Sequence, residues 1–222
     1  MQSTKLCIVS LHGRFGSGRD GIALGAELAR ATEGNDWAQH VSVLGPSAPG
    51  NKWYPHSFLF PREKNEPNAW QSIAFVTDEL LPQLRQALPA QAALVLCGFS
   101  QGACLTTEVL AAIARKTPST TPLLHGAAVF TGGLMGDDDN DASSRVLPQR
   151  ALALKDLPSA MITGDPDAHV PVIRVQETAK QFQSLGAKVL LHITQGKRHV
   201  VLPEEVKLAA DWLRTSLRAA SR

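Results

Sequence analysis

The run Ala93-Leu94-Val95-Leu96-Cys97-Gly98-Phe99-Ser100-Gln101-Gly102 decides how this chain folds. Its first five residues are apolar without interruption, which predicts a strand buried on both faces. The segment after Gly102, to about Arg115, has the apolar spacing of a helix. A strand that passes into a helix through G-x-S-x-G is a nucleophile elbow: the turn strains the serine, exposes its hydroxyl, and needs glycine where the two elements pass closely. A chance G-x-S-x-G somewhere in a chain of ordinary glycine content is roughly a several-per-cent event, and chance matches rarely fall between a strand and a helix. Ser100 is therefore read as a nucleophile rather than as an ordinary turn serine.

Outward from this elbow, short apolar runs alternate with longer amphipathic ones, the pattern of a mostly parallel central sheet flanked by helices on both faces. Leu6–Leu11 and Val41–Leu44 are expected strands, with a helix over residues 21–31 between them. Residues 45–67 hold Pro46, Pro49, Pro55, Pro61 and Pro67 and read as a long loop, a length that in compact domains points to function or disorder. Residues 69–88 read as a helix on the spacing of Ile73, Val76, Leu80, Leu84 and Leu88, with Pro82 expected to kink it or end it early. Further strands are expected over residues 123–130, 159–163 and 188–194, and helices over residues 170–185 and 203–217. There is no internal repeat, so residues 1–222 are expected to form one α/β domain, without room for a large cap.

Composition agrees. Apolar residues make up 44% and charged residues 19% of the 222, as in ordinary globular proteins. With 22 basic and 20 acidic side chains the formal net charge is +2, which gives no electrostatic reason to expect nucleic acid or an anionic membrane as partner. No apolar run is long enough to span a bilayer, and the N-terminal residues lack the length and cleavage site of a signal peptide. Cys7, Cys97 and Cys104 form neither a C-x-x-C pair nor a disulfide framework; Cys7 and Cys97 fall inside predicted strands, where an inert buried thiol is expected. A cytoplasmic protein is the expectation.

A nucleophilic serine needs a base, and the base an orienting carboxylate; in this architecture both follow later strands, in the order Ser, Asp, His. Gly164-Asp165-Pro166-Asp167-Ala168-His169-Val170-Pro171 follows one expected strand and Gly196-Lys197-Arg198-His199-Val200 the next. His199, between a strand end and a helix start, can reach over the sheet toward Ser100; the plainer alternative is an exposed loop histidine. His192 lies within a strand and reads as structural. Asp165 and Asp167 share one loop, and residue type alone does not separate them.

The first strand ends in Leu11-His12-Gly13-Arg14-Phe15-Gly16-Ser17-Gly18. Such a turn can offer backbone N–H groups to a developing oxyanion, with the Gln101 amide as the second donor. Its glycines also resemble a dinucleotide loop, but no carboxylate follows at the end of Val41–Leu44, and Tyr54 lacks a lysine four residues on, so no NAD-type cofactor is expected. Asp137-Asp138-Asp139-Asn140-Asp141 resembles a calcium loop but has Ala142 at its sixth position and Pro148 at its twelfth. It reads as a solvated loop, and neither a metal nor an organic cofactor is expected.

With these residues assembled, the sequence resembles the phospholipase/carboxylesterase family of α/β-hydrolases, whose relatives include the acyl-protein thioesterases. The likeness runs through His12-Gly13-Arg14, Trp53-Tyr54-Pro55, Asn65-Glu66-Pro67, Gly98-Phe99-Ser100-Gln101-Gly102-Ala103, Phe130-Thr131-Gly132-Gly133, the Asp165–His169 turn and Gly196-Lys197-Arg198-His199. The resemblance implies a catalytic set of Ser100, Asp167 and His199, with the Gln101 and Arg14 amides as the oxyanion hole. Many relatives carry glycine where this chain has Phe15, so the hole differs locally. Phe15, Trp53, Tyr54 and His169 are expected to contact substrate; Trp53, Tyr54, Phe58 and Phe60 either line an apolar groove for an acyl or aryl group or pin the long loop to the domain. The implied activity is hydrolysis of small acyl or aryl esters or of lysophospholipid-type esters through an acyl-enzyme. An acyl-protein thioesterase with the same residues is the near alternative, and a non-catalytic hydrolase-like binding protein the distant one. The expected partner is a small ester or thioester, and a homodimer is compatible with the sequence.

Overall fold

The computed structural model of the protein describes residues 5–116, 123–137 and 153–220. Residues 138–141 of the acidic run lie outside the described residues. Among the described residues the apolar runs form six strands, β1 (Leu6–Leu11), β2 (Val41–Leu44), β3 (Ala93–Phe99), β4 (Gly126–Phe130), β5 (Pro158–Asp165) and β6 (Lys188–Gln195). They pair in the order β2-β1-β3-β4-β5-β6, every pairing parallel. Parallel strands need crossover connections, and helices supply them on both faces.

Strand side chains alternate between two apolar layers. Cys7, Val9, Leu11, Leu94, Leu96, Val129 and Met161 face one, covered by α2 (Asn68–Ala74), α3 (Leu81–Ala87), α4 (Gln101–Arg115) and α5 (Val172–Ser184). Leu6, Ile8, Val95, Cys97, Phe130 and Ile162 face the other, where α1 (Gly18–Glu33) and α6 (Pro203–Ala220) pack side by side. β1 and β4 are buried throughout and β3 in all but its two end residues, which is why they read as unbroken hydrophobic runs. All three cysteines are free and buried. Among the described residues, no helix is long and apolar enough to cross a membrane.

Three expectations shift. The helix expected over residues 21–31 begins at Gly18, because the Asp20 carboxylate accepts the Ser17 amide at 2.7 Å and caps an earlier first turn. Pro82 neither ends its helix nor marks the break: a π-helical segment, Phe75–Leu80, joins α2 to α3 just before it. The wider turn makes room for a ring that would otherwise press on a carbonyl one turn back. β4 starts at Gly126 rather than residue 123, since His125 closes on Leu94 through its ring as well as its backbone: the Leu94 amide donates to His125 Nδ1 at 3.2 Å. β1 and β2 have the bounds expected, and the remaining elements differ by at most three residues at an end. His192 stands exposed on edge strand β6.

Candidate active site

β3 delivers Ser100 at φ 53 and ψ −117, a left-handed conformation that a non-glycine residue adopts only under strain. The Ser100 amide donates to Phe130 O at 3.0 Å, so β4 fixes the elbow from the side. The flanking glycines are obligatory for packing. A Cβ at Gly102 would lie 2.1 Å from Leu11 O, and one at Gly98 would lie 2.4 Å from Gly102 O. The start of α4 thus passes directly over the end of β1, which brings the turn after β1 beside the serine.

The turns after β5 and β6 complete the set. His199 Nε2 lies 2.8 Å from Ser100 Oγ, and His199 Nδ1 lies 2.7 Å from Asp167 Oδ2. The chemistry of the partners sets the tautomer: Nδ1–H donates to the carboxylate, and Nε2 accepts from the serine hydroxyl. The Asp167 side chain is fully buried. Burial alone would raise its pKa, but hydrogen bonds from the His169 amide at 2.8 Å, the His199 ring and the Val170 amide at 2.9 Å outweigh it. The carboxyl therefore sits below its ordinary value. Asp165 ends β5, where its carbonyl accepts the Gly196 amide; the structure thus separates the two aspartates and puts Asp167 on the histidine. The imidazole is flanked by the Phe99 ring at 5.0 Å and the His169 ring at 4.7 Å.

Opposite His199, the turn after β1 is held by His12. Its Nε2 accepts the Ala48 amide at 3.0 Å, so Nδ1 carries the proton and donates to Gly13 O at 2.7 Å. Trp53 backs this turn: its Nε1 donates to His12 O at 2.9 Å, and its amide donates to Gln101 Oε1 at 3.0 Å. The Gln101 side chain in turn donates to Tyr54 O at 2.8 Å. Phe15, at φ 65, gives its amide to Asn51 O at 2.8 Å. That amide is committed to Asn51 O, while the Gln101 amide lies at the N-terminus of α4 immediately after the serine. The Arg14 guanidinium binds the Pro55 and His56 carbonyls and tethers the turn to the long loop.

A cleft of about 460 Å³ opens over Ser100. Arg14, Phe15, Tyr54, Gln101, His169 and His199 line it. Phe15 stands 70% exposed at the rim, whereas Tyr54 is buried in the wall, where burial and the neighbouring Cys104 push its hydroxyl pKa well up. Trp53 is not on the cleft: it is spent on His12 and Gln101, behind the wall. Phe58 lines the cleft, while Phe60 is half exposed and stacks on His56 instead. Sequence reasoning missed Phe99, Cys104 and Val170 as lining residues and His12 as the support of the β1 turn. Cys104 was findable, since it lies one helical turn beyond Ser100, the residue that caps α4, and its amide donates to Ser100 O at 2.9 Å.

The serine hydrolase (FSH1) family matches residues 28–204. Among solved structures, a phospholipase/carboxylesterase from Dyadobacter fermentans is similar at 31% identity, with TM-score 0.76 over 95% of this chain and 90% of that one. Esterase PE8 is similar at 25% identity, with TM-score 0.70 over 96% and 93% of the two chains. Acyl-protein thioesterase 2 of Zea mays, at 20% identity, shares the fold with TM-score 0.67 over 97% and 95%. Among curated proteins no sequence matches.

Proposed function

We propose, on the premise that the chain belongs to the serine hydrolase (FSH1) family, that it hydrolyses small acyl or aryl carboxylic esters through an acyl-enzyme on Ser100. The observation that carries this reading is the pair of contacts at His199, 2.8 Å to Ser100 Oγ and 2.7 Å to Asp167 Oδ2. His199 Nε2 takes the serine proton as Oγ attacks the carbonyl, and the carbonyl oxygen becomes an oxyanion between the Arg14 and Gln101 amides. Collapse of this intermediate breaks the ester bond, and His199 returns its proton to the leaving alcohol. Water then attacks the acyl-serine by the same route in reverse, releasing the acid and restoring the hydroxyl. Asp167 holds the imidazole in its working tautomer and stabilises its cationic form.

Phe15, Phe58, Phe99 and Val170 give the cleft apolar walls suited to a hydrocarbon or aryl acyl group. The same reading takes residues 1–222 as one domain of the cytoplasm, supported by three unpaired, buried cysteines. The deciding experiment is hydrolysis of p-nitrophenyl esters of increasing acyl length, with a lysophospholipid and an acyl thioester in parallel, together with fluorophosphonate labelling. Turnover and labelling at Ser100, both lost in Ser100→Ala, are expected. A folded Ser100→Ala that keeps full turnover would overturn the assignment, and failure to label would favour an inert binding protein.

A further inference from the structure

The loop that carries His199 rests on a buried ion pair. Lys197 and Glu205 have side chains only 2% and 1% exposed, with Lys197 Nζ 2.8 Å from Glu205 Oε1 and 2.9 Å from Oε2. The same carboxylate accepts the Thr194 hydroxyl at 2.7 Å and the Leu202 amide at 3.0 Å. One side chain from the first turn of α6 thus binds the end of β6 and both limbs of the loop. His199 lies between those limbs, two residues after Lys197 and three before Leu202.

Two more contacts tie this assembly to the aspartate loop. The Gly196 amide donates to Asp165 O at 2.8 Å, and Gly164 is so close that a Cβ there would lie 2.9 Å from both Lys197 Cε and Lys197 O. The strand that delivers Asp167 therefore presses on the lysine that anchors the His199 loop. A buried ion pair is a poor source of net stability, because desolvation of two charges offsets much of their attraction. What this pair supplies is direction: three hydrogen bonds converge on one carboxylate, where an apolar contact would let the loop slide.

We propose that Lys197 and Glu205 are positioning residues for the general base, fixing the His199 imidazole between Ser100 and Asp167. The proposal rests on His199 being that base. Misplacing a reacting group by about 1 Å can cost about a hundredfold in rate. Glu205→Gln and Lys197→Met are therefore expected to lower kcat by about 10- to 100-fold, with KM within about twofold, assayed well below each variant's unfolding midpoint. Thr194→Val, which removes one hydrogen bond and leaves the ion pair, is expected to fold and to lose a few-fold in kcat. The reading also requires a cycle with the base: in a His199→Ala background, Glu205→Gln should remove nothing further from the residual rate. Equal losses with and without His199 would reduce the pair to general structural support and overturn the proposal. So would wild-type kcat in Glu205→Gln and Thr194→Val while His199→Ala is inactive. A His199→Ala enzyme with full turnover would instead overturn the assignment of the base. Should Glu205→Gln or Lys197→Met fail to fold, Thr194→Val alone and in the His199→Ala background decides.

Discussion

Gly102→Ala tests the close pass on which the site depends. The added Cβ would sit 2.1 Å from Leu11 O, 2.5 Å from Leu11 C and 2.6 Å from His12 O, all backbone atoms that cannot rotate away. Real Cβ contacts essentially never fall below 3.0 Å, so the start of α4 and the end of β1 must separate by about 0.9 Å. Overpacking of this kind costs about 1–3 kcal/mol, and in a chain of this length each kcal/mol lowers the thermal midpoint by about 2–4 °C. A drop of roughly 2–12 °C follows. The catalytic cost should be the larger. The separation moves Ser100 and Gln101 on one side away from the Gly13–Arg14 turn on the other, and a displacement near 1 Å is worth up to about a hundredfold in kcat/KM, or about 2.7 kcal/mol. The assay is kcat/KM on a p-nitrophenyl ester at a temperature where the variant is fully folded, beside its thermal unfolding curve. Gly13→Ala is the control for stability, since a Cβ there meets its nearest neighbours at 3.4 to 3.6 Å, ordinary contact. A Gly102→Ala protein with the wild-type midpoint and kcat/KM within threefold would refute the close pass.

Three further outcomes follow from the geometry. Asp167→Asn should cost about ten-thousand-fold in kcat by losing the tautomer that holds His199 ready. Its stability deficit should be constant above about pH 4, because the Asp167 pKa is depressed on folding, and should close as pH falls below the ordinary carboxylate value; urea midpoints of both proteins from pH 3 to 8 check this. Burial pushes the Cys7 thiol up to about 11 and those of Cys97 and Cys104 to about 12, so none should be alkylated by iodoacetamide at pH 8 until the protein unfolds, as mass spectrometry would read. Phe15→Ala, at an exposed rim position, should leave stability within about 0.5 kcal/mol while raising KM for aryl esters with little change in kcat, the signature of lost uniform binding; unchanged KM would remove Phe15 from the substrate's path.

What the sequence disclosed follows from which physical signals are local. Strands β1, β3 and β5 are buried on both faces, so their unbroken apolar runs announce them, and the elbow announces itself because strain and close packing need serine and glycine at fixed offsets. Leu124 is as buried as a strand residue yet lies before β4, because hydrophobicity reports burial and not which backbone is paired. Asp165 and Asp167 are equivalent in composition and place; only the direction each side chain takes from the turn, set by the amides of His169 and Val170, distinguishes them. Trp53 shows the same limit in the long loop. An aromatic in a segment without periodicity carries no sign of which way it faces, and this one faces the β1 turn rather than the cleft.

The long loop gains a reason from the topology. Strand order reverses around β1, with β2 on one side and β3 on the other, and a crevice forms above the sheet where successive connections leave on opposite faces. α1 joins β1 to β2 on one face; α2 and α3 join β2 to β3 on the other. The chain between them, residues 45–67, must therefore cross from one layer to the other at the carboxyl end of the sheet. It passes beside the mouth formed by the turns after β1, β3, β5 and β6, and leaves Tyr54, Ser57 and Phe58 as one wall of the cleft. The Arg14 guanidinium, bound to the Pro55 and His56 carbonyls, ties that wall to the turn after β1, which we propose offers an oxyanion amide. The loop wall of the cleft and the turn after β1 are thus one connected piece. A change in the loop around Pro55 should accordingly alter kcat as well as acyl preference, because the contact that shapes the wall also holds the hole.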